Sequence, residues 1–427
     1  MEKEYQIESL YAKFLQSNGV VTDTRKLQSG DLFFALRGPN FNGNAYAAAA
    51  LDAGASCAVI DDPAYAVEGK TMLVADTLAM LQDLARFHRS RLRCPVLGIT
   101  GSNGKTTTKE LVRNVLAKRF VVASTSGNLN NHIGVPLTVL EINPQAEFAI
   151  VEMGASAVGD IALLCSIAMP TMGLITNIGK AHTETFGGIE GVIRGKSELF
   201  DYLRKNSGQV FINSLDRVLY NMTKRFESPV IYPMEDMAFS GADPFIIYQS
   251  TAGQIETSLI GAYNYANIAA AVAVGRYMKV AEELIHQAIA TYAPDNNRSE
   301  LAVTGSNTLV KDAYNANPDS MKAAVENFVA MTGRKVAILG DMNELDHPVS
   351  EHQQMGQWIG SLGLDQVIFC GPLMKAAHAA CAGSLYFDEV GQVAKWLEEN
   401  MPTNAKILLK GSRGIRLERL FPILEKE

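Results

Sequence analysis

A basic excess is missing from this sequence. Its 38 lysines and arginines are outnumbered by 45 aspartates and glutamates, for a net charge of -7, whereas a nucleic-acid binder normally carries a basic balance or a basic face. Nucleic acid is therefore not an expected partner, and any anionic ligand must be held by local devices. Long apolar runs are missing too. No uninterrupted stretch nears the ~18 residues of a membrane span, and the N-terminal MEKEYQIESL lacks the apolar core of a signal peptide. A soluble, cytoplasmic chain is expected. Cysteine is scarce: Cys57, Cys94, Cys165, Cys370 and Cys381 are odd in number and form no C-x-x-C pair. That disfavours a disulfide framework or structural zinc and fits buried thiols in a reducing compartment. Internal repeats and low-complexity tracts are absent from the sequence as well.

What is present is an ordinary globular composition, 47% hydrophobic and 19% charged, spread over 427 residues. That length exceeds what one hydrophobic core usually supports, so more than one domain is expected. Short β-rich runs alternate with longer helical patterns, the mark of α/β domains with largely parallel sheets. PVLGIT, EFAIVEM, MGLITNI, KVAILGD, DQVIFCG and AKILLKG read as strands. Several stop at Gly, Asp, Glu or Asn, at the carboxyl edge where open α/β sheets bind ligands. LARFHRSRLR, a charged helix-like segment, precedes the first of these strands, and YAPDNNRSE carries turn formers. Domains are accordingly expected at residues 1–92, 93–297 and 298–427.

PVLGITGSNGKTTTKELVRNVL has the pattern strand, glycine-bearing turn, helix. Val96 to Thr100 is β-prone, and Leu111, Val112, Val115 and Leu116 recur at helical spacing. Gly101 and Gly104 allow backbone N–H groups to approach an oxyanion, with the positive end of the helix behind them. Lys105 is placed to reach terminal phosphates and the Thr106 hydroxyl to ligate Mg²⁺. The usual phosphate loop has a glycine where this chain has Ile99. A Gly-rich strand-to-helix turn without function is the plainer alternative, and Gly-Lys-Thr-Thr in this context favours phosphate.

Later segments supply candidate partners. FAIVEMG places Glu152 at a strand end, where a carboxylate oxygen suits Mg²⁺. SGNLNNHIGVP gathers Asn128, Asn130 and Asn131 around a glycine, as loops lining a site do. TNIGKAHTETFGG and GKSEL bring His182 and Lys196. A bare ammonium beside Mg²⁺ would be repelled, whereas burial and positive neighbours lower a lysine's pKa. A neutral lysine reacts with carbon dioxide to give a carbamate, an anionic oxygen ligand.

DTRKLQSGDLFFALRG, GITGSNGKTTTKE, SGNLNNHIGVPLT, VEMGAS, ITNIGKAHTE, GKSEL, GAYNYANIAAA, DAYNANPDSM, LGDMNEL and KGSRG follow in order over nearly the whole chain. On these stretches the sequence resembles the Mur ligase family, ATP-dependent amide ligases that build the peptide stem of bacterial peptidoglycan. The family's loop is a shortened T-G-x-x-G-K-T-T, which accounts for Ile99. DAYNANPDSM and GDMNEL look like the branch joining D-alanyl-D-alanine to UDP-N-acetylmuramoyl-tripeptide. The branch that adds the third amino acid carries a D-N-P-R-like element not found here, and stands as the nearest alternative. A folylpolyglutamate-type ligase is disfavoured by DTRK and LFFALRG. A P-loop kinase or nucleotide switch is the rival from another class, since it needs no amino acceptor.

The resemblance implies a three-domain α/β architecture, with a central P-loop ATPase-like parallel sheet and a C-terminal Rossmann-like domain. Asp23, Thr24 and Arg25 would bind the uridine nucleotide. ATP would be held by Gly101, Ser102, Asn103, Gly104, Lys105, Thr106 and Thr107, together with Asn264, Asn267, Arg298, Asp312 and Tyr314. Thr106, Glu152, His182 and Lys196, the last as carbamate, would surround Mg²⁺, two ions being expected. Asn128, Asn131, Asn315 and Asn317 would face the substrates. Asn42 and Asn44 stand where many relatives have Asp or His. The implied reaction passes through an acyl phosphate, which must be shielded from water by closure of the third domain about a hinge near Asn296. A monomer is the expected state.

Overall fold

The computed structural model of the chain describes residues 2–294 and 297–426. Asn296, the expected hinge, lies outside the described residues. The first sheet has four parallel strands in the order Val20–Val21, Leu32–Phe34, Cys57–Ile60, Thr71–Leu73. Its Leu-Phe-Phe strand is buried on both faces: Leu32 and Phe34 enter one apolar cluster and Phe33 the other, as a period of two requires.

Six parallel strands form the central sheet in the order Val230–Tyr232, Gln209–Asn213, Met172–Ile175, Val96–Thr100, Phe148–Glu152, Val122–Ser124. Alternation again assigns the faces. Val96, Ala149 and Val151 pack on one side with the helices Asp160–Ala168 and Ile189–Lys205. Leu97, Ile99, Phe148 and Ile150 pack on the other with the helices Lys105–Leu116 and Tyr265–Tyr277. Leu111, Val112, Val115 and Leu116 form the buried stripe of Lys105–Leu116, so the spacing read from the sequence is the spacing of its core face. From Val96–Thr100 the chain goes to the edge strand, returns to one flank and then moves to the other. Strand order reverses there, at the place where open α/β sheets bind ligands.

A three-stranded antiparallel sheet, Ala238–Ala242, Phe245–Ser250 and Gly253–Ile260, covers the far side of the central body. The last sheet runs in the order Glu300–Thr304, Asn307–Asp312, Ala405–Lys410, Arg334–Gly340, Gln366–Cys370, Leu385–Phe387, with Glu300–Thr304 antiparallel at one edge. All six strands expected around the middle and end of the chain are present. The five cysteines are buried and free. Among the described residues no helix is long and apolar enough to cross a membrane.

The first and central bodies share one core. Leu10, Leu32, Phe34, Val59, Leu81 and Leu84 belong to the same apolar cluster as Val96, Val151 and Ile161, so no apolar boundary falls at residue 92. Ile260 and Phe245 of the three-stranded sheet pack into the last body's apolar cluster, whereas contacts between the central loops and the last body are largely polar. Lys180 N–H donates to Asp319 at 2.7 Å, Lys180 Nζ meets Glu351 at 2.7 Å, and the Tyr263 hydroxyl lies 2.6 Å from Ser299 Oγ.

Candidate active site

Glycine is required twice in the loop that leaves Val96–Thr100. Gly101 has φ +147°, and a Cβ there would stand 1.9 Å from Thr176 Oγ1. Gly104 has φ +80°, and a Cβ there would stand 2.6 Å from Asn267 Oδ1, a region L side chains rarely adopt. Neighbouring side chains fix the loop between them. Asn103 N–H donates to Asn177 Oδ1 at 2.9 Å, while its carbonyl accepts from Thr176 Oγ1 at 2.6 Å and Asn177 Nδ2 at 3.0 Å. Asn264 and Asn267 brace the helix start: Asn267 Nδ2 donates to Asn264 Oδ1 at 2.7 Å, and Asn267 Oδ1 accepts from Thr108 Oγ1 at 3.0 Å.

The loop opens on a cavity of about 940 Å³ between the carboxyl edges of the two six-stranded sheets, within the size range of ligand sites. Ser102 to Thr107, Glu152, His182, Asn264, Asn267, Asn128 and Asn131 line it from the central body; Arg298, Asp312, Tyr314, Asn315 and Asn317 line it from the last. Asn103 and Asn317, 214 positions apart in sequence, thus face one space. Asp23, Thr24 and Arg25 do not line it. They sit together on the first body, where Arg25 Nη2 meets Asp23 Oδ2 at 2.7 Å and holds that carboxyl down to about 2. Asn42 and Asn44 have structural partners. Asn44 is fully buried and bonds both Asn42 Oδ1 and Asp61 Oδ1 at 2.8 Å.

Thr106 and Glu152 meet directly, with Thr106 Oγ1 donating to Glu152 Oε2 at 3.0 Å. Asn130 Nδ2 holds the other carboxylate oxygen at 2.9 Å. Asn131 works locally, accepting the N–H of Gly134 at 2.8 Å at the start of the helix Gly134–Leu140. Lys105 Nζ donates to the carbonyls of Gly101 and Ser102 at 2.6 and 3.3 Å. Burial, with Arg298 nearby, lowers the Lys105 pKa, opposed by Glu152. His182 Nδ1 pairs with Glu344 of the last body at 2.9 Å, which lowers the Glu344 pKa. Lys196 does not line the cavity. It is 1% exposed, its Nζ 5.6 Å from the centre of the Phe186 ring. Burial first, then the charge of Lys105, push its pKa well down.

On the opposite wall Arg298 lies over the Tyr314 ring at 3.7 Å and Arg413 at 5.6 Å, forming a cationic and aromatic surface. Lys410 Nζ pairs with Asp312 at 2.7 Å and donates to the Asn315 carbonyl at 3.2 Å. Sequence reasoning assigned no role to Thr176, Asn177, Glu344, Lys410 or Arg413. All five lie in the quoted stretches ITNIGKAHTE, LGDMNEL and KGSRG, so a polar residue at or just beyond a strand end was the available signal.

Known sequence families and structures match this arrangement throughout. The pattern described as Mur ligase family, catalytic domain, matches residues 16–89, the Mur ligase middle domain residues 99–275, and the Mur ligase, glutamate ligase domain, residues 297–413. The UDP-N-acetylmuramoyl-tripeptide–D-alanyl-D-alanine ligase of Bacillus subtilis is 34% identical over 423 residues, covering 94% of this chain and 92% of that one. The chain belongs to the Mur ligase family. Within that family its fold superposes on MurF from Acinetobacter baumannii with a TM-score of 0.87 at 27% identity, over 99% of this chain and 98% of that one. The MurF ligase from Thermotoga maritima, solved in complex with ADP, gives a TM-score of 0.85 at 27% identity, over 97% and 98%. This Mur ligase falls with the MurF branch. The branch adding the third amino acid is not favoured.

Proposed function

We propose that this Mur ligase joins D-alanyl-D-alanine to UDP-N-acetylmuramoyl-tripeptide, converting ATP to ADP and phosphate. The observation that carries the reading is the shared cavity. A phosphate loop on one wall faces the Asn315 and Asn317 segment on the other, in a chain similar to ligases of that name over 94% of its length.

A carboxylate is a poor acyl donor because its leaving group would be oxide. Phosphoryl transfer from ATP to the tripeptide's terminal carboxylate gives an acyl phosphate and ADP. The dipeptide amine, arriving deprotonated, then attacks the acyl carbon; a C–N bond forms, the C–O bond to phosphate breaks, and phosphate leaves. Lys105 and the loop amides offset charge as the phosphoryl group moves, the kind of preorganised electrostatics that dominates such catalysis. Thr106 and Glu152 offer the hydroxyl and carboxylate oxygens that Mg²⁺ favours, so the residues fit the ion. When bound, Mg²⁺ supplies positive charge to the phosphate oxygens. Among the described residues no cluster of three His, Cys, Asp or Glu forms a metal cage, which agrees with an ion that keeps water and substrate oxygens. His182 is the expected neighbour of the metal site, and Asp23, Thr24 and Arg25 would take the uridine nucleotide on the first body. Asn128 and Asn131 lie on the tripeptide side, and Arg298, Asp312 and Tyr314 on the nucleotide side. The enzyme is assigned to the cytoplasm as a monomer.

Lys196 is assigned a carbamate. No carboxylate pairs with it among the described residues, and burial with the charge of Lys105 lowers its pKa, which favours the free amine. Nζ adds to carbon dioxide, a C=O bond opens to an oxygen anion, and the amine proton leaves to water. The ¹³C resonance of labelled carbon dioxide on the protein tests this; its absence from wild type, or its persistence in Lys196→Ala, would remove the assignment.

The function is tested by phosphate release from ATP and Mg²⁺ with UDP-N-acetylmuramoyl-tripeptide, with and without D-alanyl-D-alanine, while product mass is followed. Release that needs both substrates and gives the pentapeptide mass is expected. Release with neither would move the reading to a nucleotide switch, and ligation of a free diamino acid to the branch adding the third residue.

A further inference from the structure

The phosphate loop touches the last body through one side chain in particular. Asn317 Nδ2 donates to Asn103 Oδ1 at 2.8 Å, and Asn103 Nδ2 faces Asn317 Oδ1 at 3.5 Å. Both residues are fixed before they meet. The backbone of Asn103 is clamped by Thr176 and Asn177, as described above, so its side chain is aimed by the central sheet. Asn317 caps the helix Pro318–Ala330: its Oδ1 accepts from Ser320 N–H at 2.9 Å while its own N–H donates to Ser320 Oγ at 3.0 Å. The cap uses Asn317 Oδ1 and leaves Nδ2 for Asn103. A second link joins the preceding loop residue to the same helix turn. Gly179 N–H donates to Ser102 Oγ at 2.9 Å, and the adjacent Lys180 N–H donates to Asp319 Oδ2 at 2.7 Å. Asn103 therefore bonds the first turn of this helix directly, and Ser102 is linked to the same turn through Gly179 and Lys180 of the central body.

We propose that Asn103 and Asn317 are a positioning pair that holds the phosphate loop in its working geometry when the last body is docked, rather than two independent ligand contacts. Resting on the ligase reading above, the inference adds how phosphoryl transfer is tied to the body that carries the amino-acceptor wall. An acyl phosphate made before that body arrives is exposed to water. A loop completed by the docked helix limits this loss. Amide pairs suit such a link because they are directional and uncharged, and misplacing a reacting group by about 1 Å is worth up to 100-fold in rate.

The test compares wild type, Asn103→Ala, Asn317→Ser and the double variant. Serine keeps the helix cap but is too short to reach Asn103. Three quantities are read: the Kd of a non-hydrolysable ATP analogue by calorimetry without other substrates, kcat with both substrates, and phosphate released per pentapeptide formed. Each single variant is expected to lower kcat about 10-fold and raise the phosphate-to-product ratio, with Kd within about 2-fold, and the double variant to be no worse than either single one. A rise in Kd for Asn103→Ala that matches its activity loss, with Asn317→Ser unaffected, would overturn the pair and leave Asn103 as a nucleotide contact. Additive losses with an unchanged ratio would also overturn it. Wild type forming no pentapeptide in the same assay would instead reject the ligase reading, while the nucleotide Kd would still report on Asn103.

Discussion

At the scale of single residues the loop is constrained by space and charge together. Gly101→Ala puts a methyl group onto Thr176 Oγ1 at a φ of +147°, so it should abolish binding of the ATP analogue in calorimetry, and retained affinity would refute the packing argument. Lys105→Ala and Glu152→Gln leave the fold's core untouched. Each is expected to lower the rate of phosphate release about 100- to 1,000-fold, with little change in Tm. Lys196 makes a prediction about pH. Burial lowers its pKa well below the ordinary 10.5, so between the lowered value and 10.5 the unfolded chain binds the extra proton. Stability then rises with pH from the lowered folded value toward 10.5. In buffers depleted of carbon dioxide, Lys196→Met should flatten that rise, as measured by urea unfolding at pH 7 and 9; an unchanged slope would show that Lys196 is not its source.

Among the elements, one ion cluster fastens the three-stranded sheet to the central helices. Arg276, in the helix Tyr265–Tyr277, bonds Asp236 at 2.7 Å and also pairs with Glu282 at the start of Glu282–Ala290. His286 extends the set, 2.9 Å from Glu282 and 2.7 Å from the buried Tyr248 hydroxyl. Hydrogen bonds from Arg276 lower the pKa of both Asp236 and Glu282. Their stabilisation is therefore present above the ordinary carboxylate range and lost as pH falls through the lowered values. Arg276→Met should cost about 2 kcal/mol at pH 7, below the range for fully buried pairs because these carboxylates are partly exposed, and less at pH 3. Urea unfolding at the two pH values checks it, and an equal loss at both would assign the effect to packing. Helical and strand patterns over Lys105–Leu116, Val96–Thr100 and Ala405–Lys410 were legible in the sequence because apolar periodicity reports burial. The Arg276 cluster was not, because its acids lie 40 residues before and 6 residues after it in different elements.

For the whole molecule, the nature of each junction decides what can move. A continuous apolar cluster joins the first and central bodies, so separating them would expose core side chains. Largely polar contacts join the central loops to the last body, and water replaces these at small cost. Opening is therefore expected there. X-ray scattering with ATP analogue and the UDP-linked substrate should give a smaller radius of gyration than protein alone, and superimposable profiles would contradict closure. Much of the candidate site was legible: Lys105 and Glu152 from the chemistry expected at strand ends, Asn267 and Asp312 from the family resemblance, and all four share one cavity. Two features were not, the His182 to Glu344 contact and the support of Tyr314 by Arg298 and Arg413. The first depends on how separate bodies face one another and the second on how distant segments of the last body fold together, which no local pattern encodes.

The sequence by itself determined the elements, the loop chemistry and the family, because glycine placement, side-chain periodicity and ordered motifs are local properties of the chain. Tertiary structure alone decided which asparagine did what. Asn131 starts a helix, Asn130 holds Glu152, and Asn103 meets Asn317 across 214 positions. An amide has the same donors and acceptor at every position, and its role is set only by the partner that folding brings within hydrogen-bond reach.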